Sequence, residues 1–363
     1  MRACFRVESD ETMQVREFRS DTMTRPTSAM RMAMAEAEVG DDVCGEDPTV
    51  NRLERVAAEL LGKEAALFVP SGVFANQCAI GVHCRPGDEL LVSEKAHVVE
   101  HEAGAAAALS GVQLRAVRPT NGCYLTVGDI LPRFRRGDDI HHPRTGLVIL
   151  ENALSDGTVM PVAAMAEVHA AAARHGAAVH LDGARLFNAA LALDVAPASL
   201  AEWCDSVSFC LSKGLGAPVG SMLGGTREFI RWARRRRKVM GGGMRQAGVL
   251  AAPGLLAIEN WRGRLSDDHR RARALAESLS VIPGVLVNLP DVRTNMVYLK
   301  LVGRSLERQV RLEEDLVRYL GAHGVRVYPP LEDGVRFVTS REVDDEDVRA
   351  AAEVVREFCD QAR

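Results

Sequence analysis

Short apolar runs of strand length alternate with helical segments along most of the chain. The segments DELLVSE, GLVILEN, AAVHLDGA and DSVSFCLSK each read as a buried strand that runs into a polar loop. Segments with helical spacing lie between them, among them NRLERVAAELL, which ends near Gly62, VFANQCAIGVHC and MAEVHAAAARHG. This alternation predicts an α/β fold in which helices cover a mostly parallel sheet and a site lies at the loops that follow the strands.

Changes in composition divide the chain into three predicted regions. Residues 1–17 are polar and lack periodicity, which predicts an N-terminal extension. Residues 18–259 hold the alternating pattern and form the predicted large domain. From residue 260 a charged helix, RGRLSDDHRRARALAESL, is followed by the strands NMVYLKL and GVRFVTS, so residues 260–363 predict a smaller α+β domain.

Composition narrows the classes of function. The 363 residues are 47% hydrophobic and 26% charged, without a long apolar run, so we expect neither disorder nor contact with a membrane. A net charge of -4 disfavours nucleic-acid binding, and we place the basic cluster RWARRRRK on a solvated helix face. Eight cysteines without a C-x-x-C pair, and no signal peptide, predict reduced thiols and a cytoplasmic protein.

One segment has the spacing of a zinc peptidase motif. In AHVVEHEAGA, His97, Glu100 and His101 form H-x-x-E-H, where two histidines could hold a metal and the glutamate could activate water. No further ligand stands out downstream on a recognisable helix. A zinc hydrolase stays open as an alternative from a different class of enzyme. Because a further ligand is missing from the pattern, we expect no metal.

Two loops carry candidate polar chemistry. In PSGVFANQ, a turn at Ser71 and Gly72 leads into a helix whose first amides could bind an anion, although such a turn is often only a helix cap. In HLDGARLF, Asp182 ends an apolar strand and Arg185 follows three residues later. A carboxylate at that position could protonate a ring nitrogen, or the two residues could form a structural ion pair.

Two further segments add a reactive amine and a cation. In SFCLSKGLGAPVGS, Lys213 follows a buried strand, and partial burial of the amine favours the uncharged form that makes a Schiff base. The glycines there do not fit G-x-G-x-x-G, which disfavours a nicotinamide enzyme. Arg336, in RFVTS, is suited to bidentate binding of a carboxylate, or forms a surface salt bridge. Together the four segments describe a pyridoxal phosphate site.

Several long motifs also carry a family resemblance. FRSDTMTRPTSAMRMAMAEAEVGDDVCGEDPTVNRLE, LFVPSGVFANQ, HLDGARLFNA, FCLSKGLGAPVGS and GGGMRQAGVLAA resemble the low-specificity L-threonine aldolases, within the β-eliminating lyase group of fold type I pyridoxal phosphate enzymes. The resemblance covers nearly all of the chain from Phe18 to Phe358. It implies an aspartate aminotransferase-like large domain with a seven-stranded sheet, and an enzyme that cleaves β-hydroxy-α-amino acids to glycine and an aldehyde.

The resemblance also implies roles for individual residues. Lys213 would hold pyridoxal phosphate as a Schiff base, Asp182 would bind its ring nitrogen, and His97 would stack on its ring instead of binding zinc. The substrate carboxylate would bind Arg185, Arg336 and Ser20. The phosphate would bind a set drawn from the helix turn, the lysine loop and a neighbouring subunit: Ser71, Gly72, Val73, Ser212 and Arg245. A site completed by a neighbour implies a homo-oligomer, a dimer at least and a tetramer in the family's usual form.

Two departures from the family pattern alter the expected substrate specificity and the expected cofactor affinity. The family usually has E-N-T-H-N where this chain has ENALSDG, so Ala153 and Leu154 replace a threonine and a histidine that helps bind the substrate hydroxyl. A leucine cannot exchange a proton, which predicts a more apolar pocket and keeps open β-elimination or other carbanion chemistry as an alternative. Val73 replaces a frequent threonine, which predicts weaker cofactor binding.

Overall fold

The computed structural model describes residues 14–303 and 305–361. The described residues form two compact units: Thr24–Asp267 form the larger unit, and the described residues up to Met23 together with those from Asp268 onward form the smaller unit. The division falls between Asp267 and Asp268, inside the helix Trp261–Ser280, and not near Asn260, where the composition changes. Of the predicted N-terminal extension, residues 1–13 lie outside the described residues, whereas Arg16 and Glu17 form a strand.

Strands and helices are numbered in chain order. The strands are β1 (Arg16–Glu17), β2 (Ala65–Val69), β3 (Glu89–Ser93), β4 (Gln113–Val117), β5 (Thr145–Glu151), β6 (Ala178–Asp182), β7 (Ser206–Cys210), β8 (Ser221–Gly225), β9 (Val285–Leu286), β10 (Met296–Leu301), β11 (Val325–Arg326) and β12 (Val335–Val338). The helices are α1 (Ser28–Ala35), α2 (Pro48–Leu61), α3 (Gly72–His83), α4 (His97–Glu100), α5 (Ala105–Ser110), α6 (Val127–Ile130), α7 (Val162–Arg174), α8 (Leu186–Leu193), α9 (Pro197–Ala201), α10 (Arg227–Val239), α11 (Gly248–Glu259), α12 (Trp261–Ser280), α13 (Leu306–Ala322) and α14 (Asp345–Gln361).

A seven-stranded sheet forms the centre of the larger unit. Its strand order is β2-β8-β7-β6-β5-β3-β4, and β8 alone runs antiparallel to its neighbours β2 and β7. The pairs β6–β7, β5–β6, β3–β5 and β3–β4 are parallel. The prediction of an α/β fold with a mostly parallel sheet is confirmed. Because parallel strands end at the same edge, the loops after β3, β5, β6 and β7 meet there.

Both faces of this sheet are covered by apolar packing, as the continuous apolar strands predicted. Leu91, Val148 and Leu181 lie in one core cluster, whereas Leu90 and Leu147 lie in another. All five side chains are fully buried, and they alternate along the strands because successive side chains point to opposite faces. This packing fixes the strands that end at the candidate site.

Strand β8 was not predicted, because its sequence, SMLGG, combines weak strand formers with two glycines. A Cβ at Gly224 would lie 2.6 Å from Leu61 Cδ1, and a Cβ at Gly225 would lie 2.6 Å from Phe229 Cδ1. The glycines therefore allow helices α2 and α10 to pack closely on this strand, a tertiary requirement that periodicity does not reveal.

Helix α2 shows how local signals set its ends. The side chain of Asp47 accepts hydrogen bonds from the amides of Thr49 and Val50, and Pro48 occupies the first helical position, where no amide hydrogen is needed. Gly62 ends the helix with φ +62°, a left-handed conformation that favours glycine. The predicted end of this helix near Gly62 is confirmed.

The smaller unit contains two small sheets with helical packing. Strand β10 pairs antiparallel with β12 and with β9, and β1 pairs parallel with β11. Phe18 and Phe337 meet edge to face in its core, with ring centroids 5.8 Å apart. None of the helices in the described ranges is both long and apolar enough to cross a membrane.

Candidate active site

The turn between β2 and α3 presents amide groups at a helix start. Ser71 caps α3, because its Oγ accepts a hydrogen bond from the amide of Phe74 at 3.2 Å. The amides of Gly72 and Val73 precede the first intrahelical donor, so they are available to an anion. A Cβ at Gly72 would lie 2.8 Å from Cys210 Sγ, which explains the glycine by close packing against the end of β7.

Lys213 lies in the loop after β7 and is half-buried, as is Ser212. The hydroxyl of Thr24 donates a hydrogen bond to the backbone carbonyl of Lys213 at 2.9 Å. The glycine-rich loop that follows turns back into β8, and Gly220, with φ +103°, packs so closely on Phe68 that a Cβ would lie 2.5 Å from the ring. The loop therefore places the lysine at the edge of the sheet.

Asp182 ends β6 and is buried, with 3% of its surface exposed. Its Oδ1 accepts a hydrogen bond from the amide of Ala184 at 3.0 Å, and its Oδ2 accepts one from Asn76 Nδ2 at 2.7 Å. Arg185 is half-buried at the start of α8. A buried carboxylate fixed by two donors is suited to holding a cationic ring nitrogen.

His97 begins α4 in the loop after β3, with its ring oriented by a buried carboxylate. His97 Nδ1 lies 2.9 Å from Oε1 of Glu102, whose side chain is fully buried. Because a carboxylate only accepts, Nδ1 carries the hydrogen and Nε2 is left as the acceptor of the neutral ring. The hydrogen bond to Glu102 raises the pKa of His97, and the charge of Asp182 adds to this effect.

A third carboxylate faces the same region. Glu151 ends β5, pairs in register with Asp182, and accepts a hydrogen bond from the amide of His97 at 3.1 Å. Burial raises the pKa of Glu151 from 4.5 to about 7, and the charge of Asp182 acts in the same direction. The charge of Lys213 lowers the pKa of both Glu151 and His97. These four ionisable groups therefore influence one another at one edge of the sheet.

The sequence interpretation missed three residues that connect this region. Asn76, Gln77 and Glu102 are buried, and both amide side chains donate to Glu102, at 2.8 Å from Asn76 Nδ2 to Oε1 and 2.7 Å from Gln77 Nε2 to Oε2. Two adjacent amides within the otherwise apolar helix segment VFANQCAIGV were the available signal, since buried polar side chains need partners.

The structure does not arrange the H-x-x-E-H segment as a metallopeptidase helix. Helix α4 has a single turn, and Glu100 and His101 are exposed. Among the described residues, a different set brings ligand atoms within 4.8 Å of one another, namely His97, Glu102 and Asp182. Because protein donors already bond both carboxylates of this set, its geometry is that of an internal hydrogen-bond network.

The loop after β5 carries the departure from the family pattern. Ala153 and Leu154 are buried, with 2% and 9% of their surfaces exposed. The amide of Leu154 donates to the carbonyl of Thr158 at 2.9 Å, which closes the loop as a tight turn. Two apolar side chains therefore follow Glu151 at the edge of the sheet, where the family pattern has polar ones.

Three other predicted residues are described in their own surroundings. Arg245, in the larger unit, forms an ion pair from Nη1 to Asp41 Oδ2 at 2.6 Å and is largely exposed. In the smaller unit, Ser20 is buried, and its Oγ accepts a hydrogen bond from the hydroxyl of Thr22 at 2.9 Å. Also in the smaller unit, Arg336 Nε is buried and has no hydrogen-bond partner within the described part of the chain.

Comparisons with known proteins show a family by sequence and a fold by structure. Residues 17–301 match the family described as β-eliminating lyase. A relative named "Probable low-specificity L-threonine aldolase 2" from Arabidopsis thaliana is 42% identical over 341 residues, which cover 93% of this chain and 95% of that protein. The solved Leishmania major threonine aldolase has a TM-score of 0.80 at 22% identity and covers 95% of this chain and 99% of its own. A serine palmitoyltransferase structure that holds pyridoxal phosphate has a TM-score of 0.70 at 17% identity, and the alignment covers 95% of this chain and 87% of that one.

Proposed function

Because the chain belongs to the β-eliminating lyase family, among the low-specificity L-threonine aldolases, we propose that it cleaves L-threonine, L-allo-threonine or a related β-hydroxy-α-amino acid to glycine and an aldehyde. It is a pyridoxal phosphate-dependent lyase, and the reaction is reversible. The observation that carries the proposal is the buried Asp182 at the end of β6. The charges of Asp182 and Lys213 both act on His97. The relatives do not favour the β-elimination alternative that Leu154 had kept open.

The residues of the larger unit fit pyridoxal phosphate. The helix start at Gly72 and Val73 offers free amides to a phosphate, with Ser71 as its cap and Ser212 in the lysine loop. The close approach of Gly72 to Cys210 leaves no space for a side chain at this helix start. Asp182 would hold the ring nitrogen, and the amine of Lys213 would bind the aldehyde carbon. When bound, the cofactor supplies a conjugated ring that accepts the electron pair of the broken Cα–Cβ bond.

Asp182 would determine how strongly that electron pair is accepted. Its carboxylate is desolvated and fixed by two donors, so it would stabilise a proton on the ring nitrogen of the bound cofactor with a charge that water does not screen. An uncharged residue at this position would leave the ring nitrogen without its partner. The position of Asp182 therefore supports carbanion chemistry at the substrate Cα.

His97 is our candidate for handling the β-hydroxyl proton. Since Leu154 cannot exchange a proton, another group must take it, and His97 Nε2 is an acceptor without a hydrogen-bond partner in the described residues. Glu102 stabilises the imidazolium that results, because its hydrogen bond raises the pKa of His97. The ring of His97 would also stack on the cofactor, as the resemblance predicts.

The assignment of the substrate carboxylate to Arg185, Ser20 and Arg336 stays a prediction from the resemblance. The Nε of Arg336, which is buried and has no hydrogen-bond partner among the described residues, supports its part, because an unpaired buried donor of a cation favours an anionic ligand. The buried Ala153 and Leu154 support a substrate with a larger or less polar β-substituent than threonine.

We further propose that the protein is a cytoplasmic homo-oligomer, a dimer at minimum and a tetramer in its full form. Arg245 would bind the phosphate of a neighbouring subunit, which requires it to exchange its ion pair with Asp41 for the phosphate. The apolar side chains of Met32 and Val239, with 61% and 72% of their surfaces exposed, are consistent with burial against another copy.

Hydrogen exchange into glycine tests the proposed chemistry without knowledge of the aldehyde. In deuterium oxide, the cofactor-loaded protein should replace one α-hydrogen of glycine with deuterium, as seen by proton NMR, and Lys213→Ala should not. Exchange by both proteins, or by neither, would overturn the assignment. Release of pyruvate and ammonia from L-serine, with no exchange into glycine, would favour the eliminating lyase.

A further inference from the structure

We propose that Asn76 is a positioning residue that joins Asp182 and Glu102 into one hydrogen-bonded unit. Through these two carboxylates it would set the position of the group that faces the cofactor ring nitrogen and of the group that orients His97. The inference rests on the proposed function, since the two roles are assigned there. Asn76 itself would touch neither cofactor nor substrate.

The first support is that the buried amide of Asn76 uses its whole hydrogen-bonding capacity. Nδ2 donates to Glu102 Oε1 at 2.8 Å and to Asp182 Oδ2 at 2.7 Å. Oδ1 lies 3.1 Å from His180 Nε2 and accepts from Ser208 Oγ at 3.3 Å. An asparagine offers two donors and two acceptor sites, and all four are paired here with only 1% of the residue exposed.

The second support is that the amide can take only one orientation. A flipped amide would point Oδ1 at the two carboxylates, Glu102 and Asp182, and none of the three groups could then donate. With Nδ2 towards the carboxylates, Oδ1 must receive a hydrogen from His180, so His180 carries its hydrogen on Nε2. The carboxylate pair therefore determines a tautomer on the opposite side of Asn76.

A series of buried, hydrogen-bonded side chains continues from His180 into the protein. His180 Nδ1, left without a hydrogen, lies 2.9 Å from Ser206 Oγ, which is also 2.8 Å from His83 Nε2. The hydroxyl of Ser206 therefore donates to His180 and accepts from His83. Burial lowers the pKa of His180 to about 3 and that of His83 to about 4, so both rings stay neutral near neutral pH. Every donor in this series of hydrogen bonds thus points towards the two carboxylates.

The neighbouring residue Gln77 provides a matched control. It lies next to Asn76 in α3, is equally buried, and donates from Nε2 to Glu102 at 2.7 Å, with no contact to Asp182 among its described hydrogen bonds. Asn76→Asp and Gln77→Glu make the same isosteric change from amide to carboxyl. Both therefore disturb Glu102, whereas only Asn76→Asp disturbs Asp182 as well.

The experiment compares the two variants with the wild-type protein after removal and re-addition of pyridoxal phosphate. We expect Asn76→Asp to weaken cofactor binding by about tenfold or more, because the Asp182 carboxylate loses a charge-assisted hydrogen bond and gains a like-charged neighbour. We expect less than about a threefold change in Gln77→Glu. The pH midpoint of the visible cofactor spectrum should move by about one unit or more in Asn76→Asp alone, as expected when carboxylates share a proton. Among the described residues, the ionisable groups within this unit are Asp182 and Glu102, and those that act on it from outside are Glu151, His97, Lys213 and His180.

Equal changes in cofactor affinity and in spectral midpoint for the two variants would overturn the proposal. So would an Asn76→Asp protein that has lost only thermal stability, since that would show a purely structural role. If Asn76→Asp does not fold, nitrogen NMR of His180 in the wild-type protein tests the proposal. The series of hydrogen bonds requires a hydrogen on Nε2 of His180 and none on Nδ1 near neutral pH. A wild-type protein that binds no pyridoxal phosphate would instead overturn the proposed function, while the NMR result would still stand.

Discussion

Glu151→Gln should change the pH dependence of stability in the cofactor-free protein. Burial and the charge of Asp182 raise the pKa of Glu151 from 4.5 to about 7, so between these values the folded protein holds a proton that the unfolded chain has released. The free energy of unfolding therefore falls as pH rises through this window, and the full cost is present above pH 7. Glutamine keeps an acceptor for the amide of His97 and carries no proton to lose.

The shift sets an upper limit for the difference between the two proteins. One pKa unit corresponds to about 1.4 kcal/mol, so the variant should gain up to about 3 kcal/mol relative to the wild type between acid and alkaline pH. Partial exposure of Glu151 to solvent reduces this figure, and a gain of about 1 to 3 kcal/mol is the expected range.

Urea unfolding of both proteins at several pH values measures this difference. The exposed Glu100, in the same region of the chain, gives the control variant Glu100→Gln, for which the difference from the wild type should not vary with pH beyond a few tenths of a kcal/mol. A Glu151→Gln curve that runs parallel to the wild-type curve would refute the raised pKa assigned to this carboxylate.

Three further predictions follow from single residues. Lys213→Ala should lose the visible absorption band and glycine formation together, because it removes the amine that would bind the cofactor, and an unchanged band would remove Lys213 from the site. Gly72→Ala should lower the free energy of unfolding by about 1 to 3 kcal/mol, since its Cβ would meet Cys210 Sγ at 2.8 Å. Adding Cys210→Ala to the same chain should restore part of that free energy. A fully stable Gly72→Ala protein would contradict the close packing. Leu154→His should raise kcat/KM for L-threonine relative to a β-hydroxy amino acid with a larger apolar substituent by about tenfold, and an unchanged ratio would show that Leu154 does not contact the substituent.

The fold was largely predictable because buried parallel strands leave continuous apolar runs. β3, β5, β6 and β7 were each found in this way, and Gly62 marked the end of α2. β8 was missed because its glycines serve the packing of α2 and α10. The first described strand, β1, was missed because two residues carry no periodicity and their partner, β11, lies some three hundred residues away in sequence.

The site was predictable where residues follow a strand, and not where they meet through tertiary contacts. Asp182 and Lys213 stand directly after apolar runs, so the strand pattern places them at the same edge. Glu102 was missed because its hydrogen bonds join a loop to a helix that lies earlier in the chain, with Asn76 26 residues and Gln77 25 residues before Glu102. The H-x-x-E-H spacing could not show that the partner of His97 Nδ1 is Glu102, which lies outside that motif.

The most direct test of the proposed reaction is a product balance. L-threonine and L-allo-threonine are incubated with the cofactor-loaded protein, and glycine, acetaldehyde, ammonia and 2-oxobutanoate are measured together. We predict glycine and acetaldehyde in equal amounts, with no ammonia beyond the control, because the bond that breaks joins Cα to Cβ. Formation of 2-oxobutanoate and ammonia without glycine would contradict that prediction.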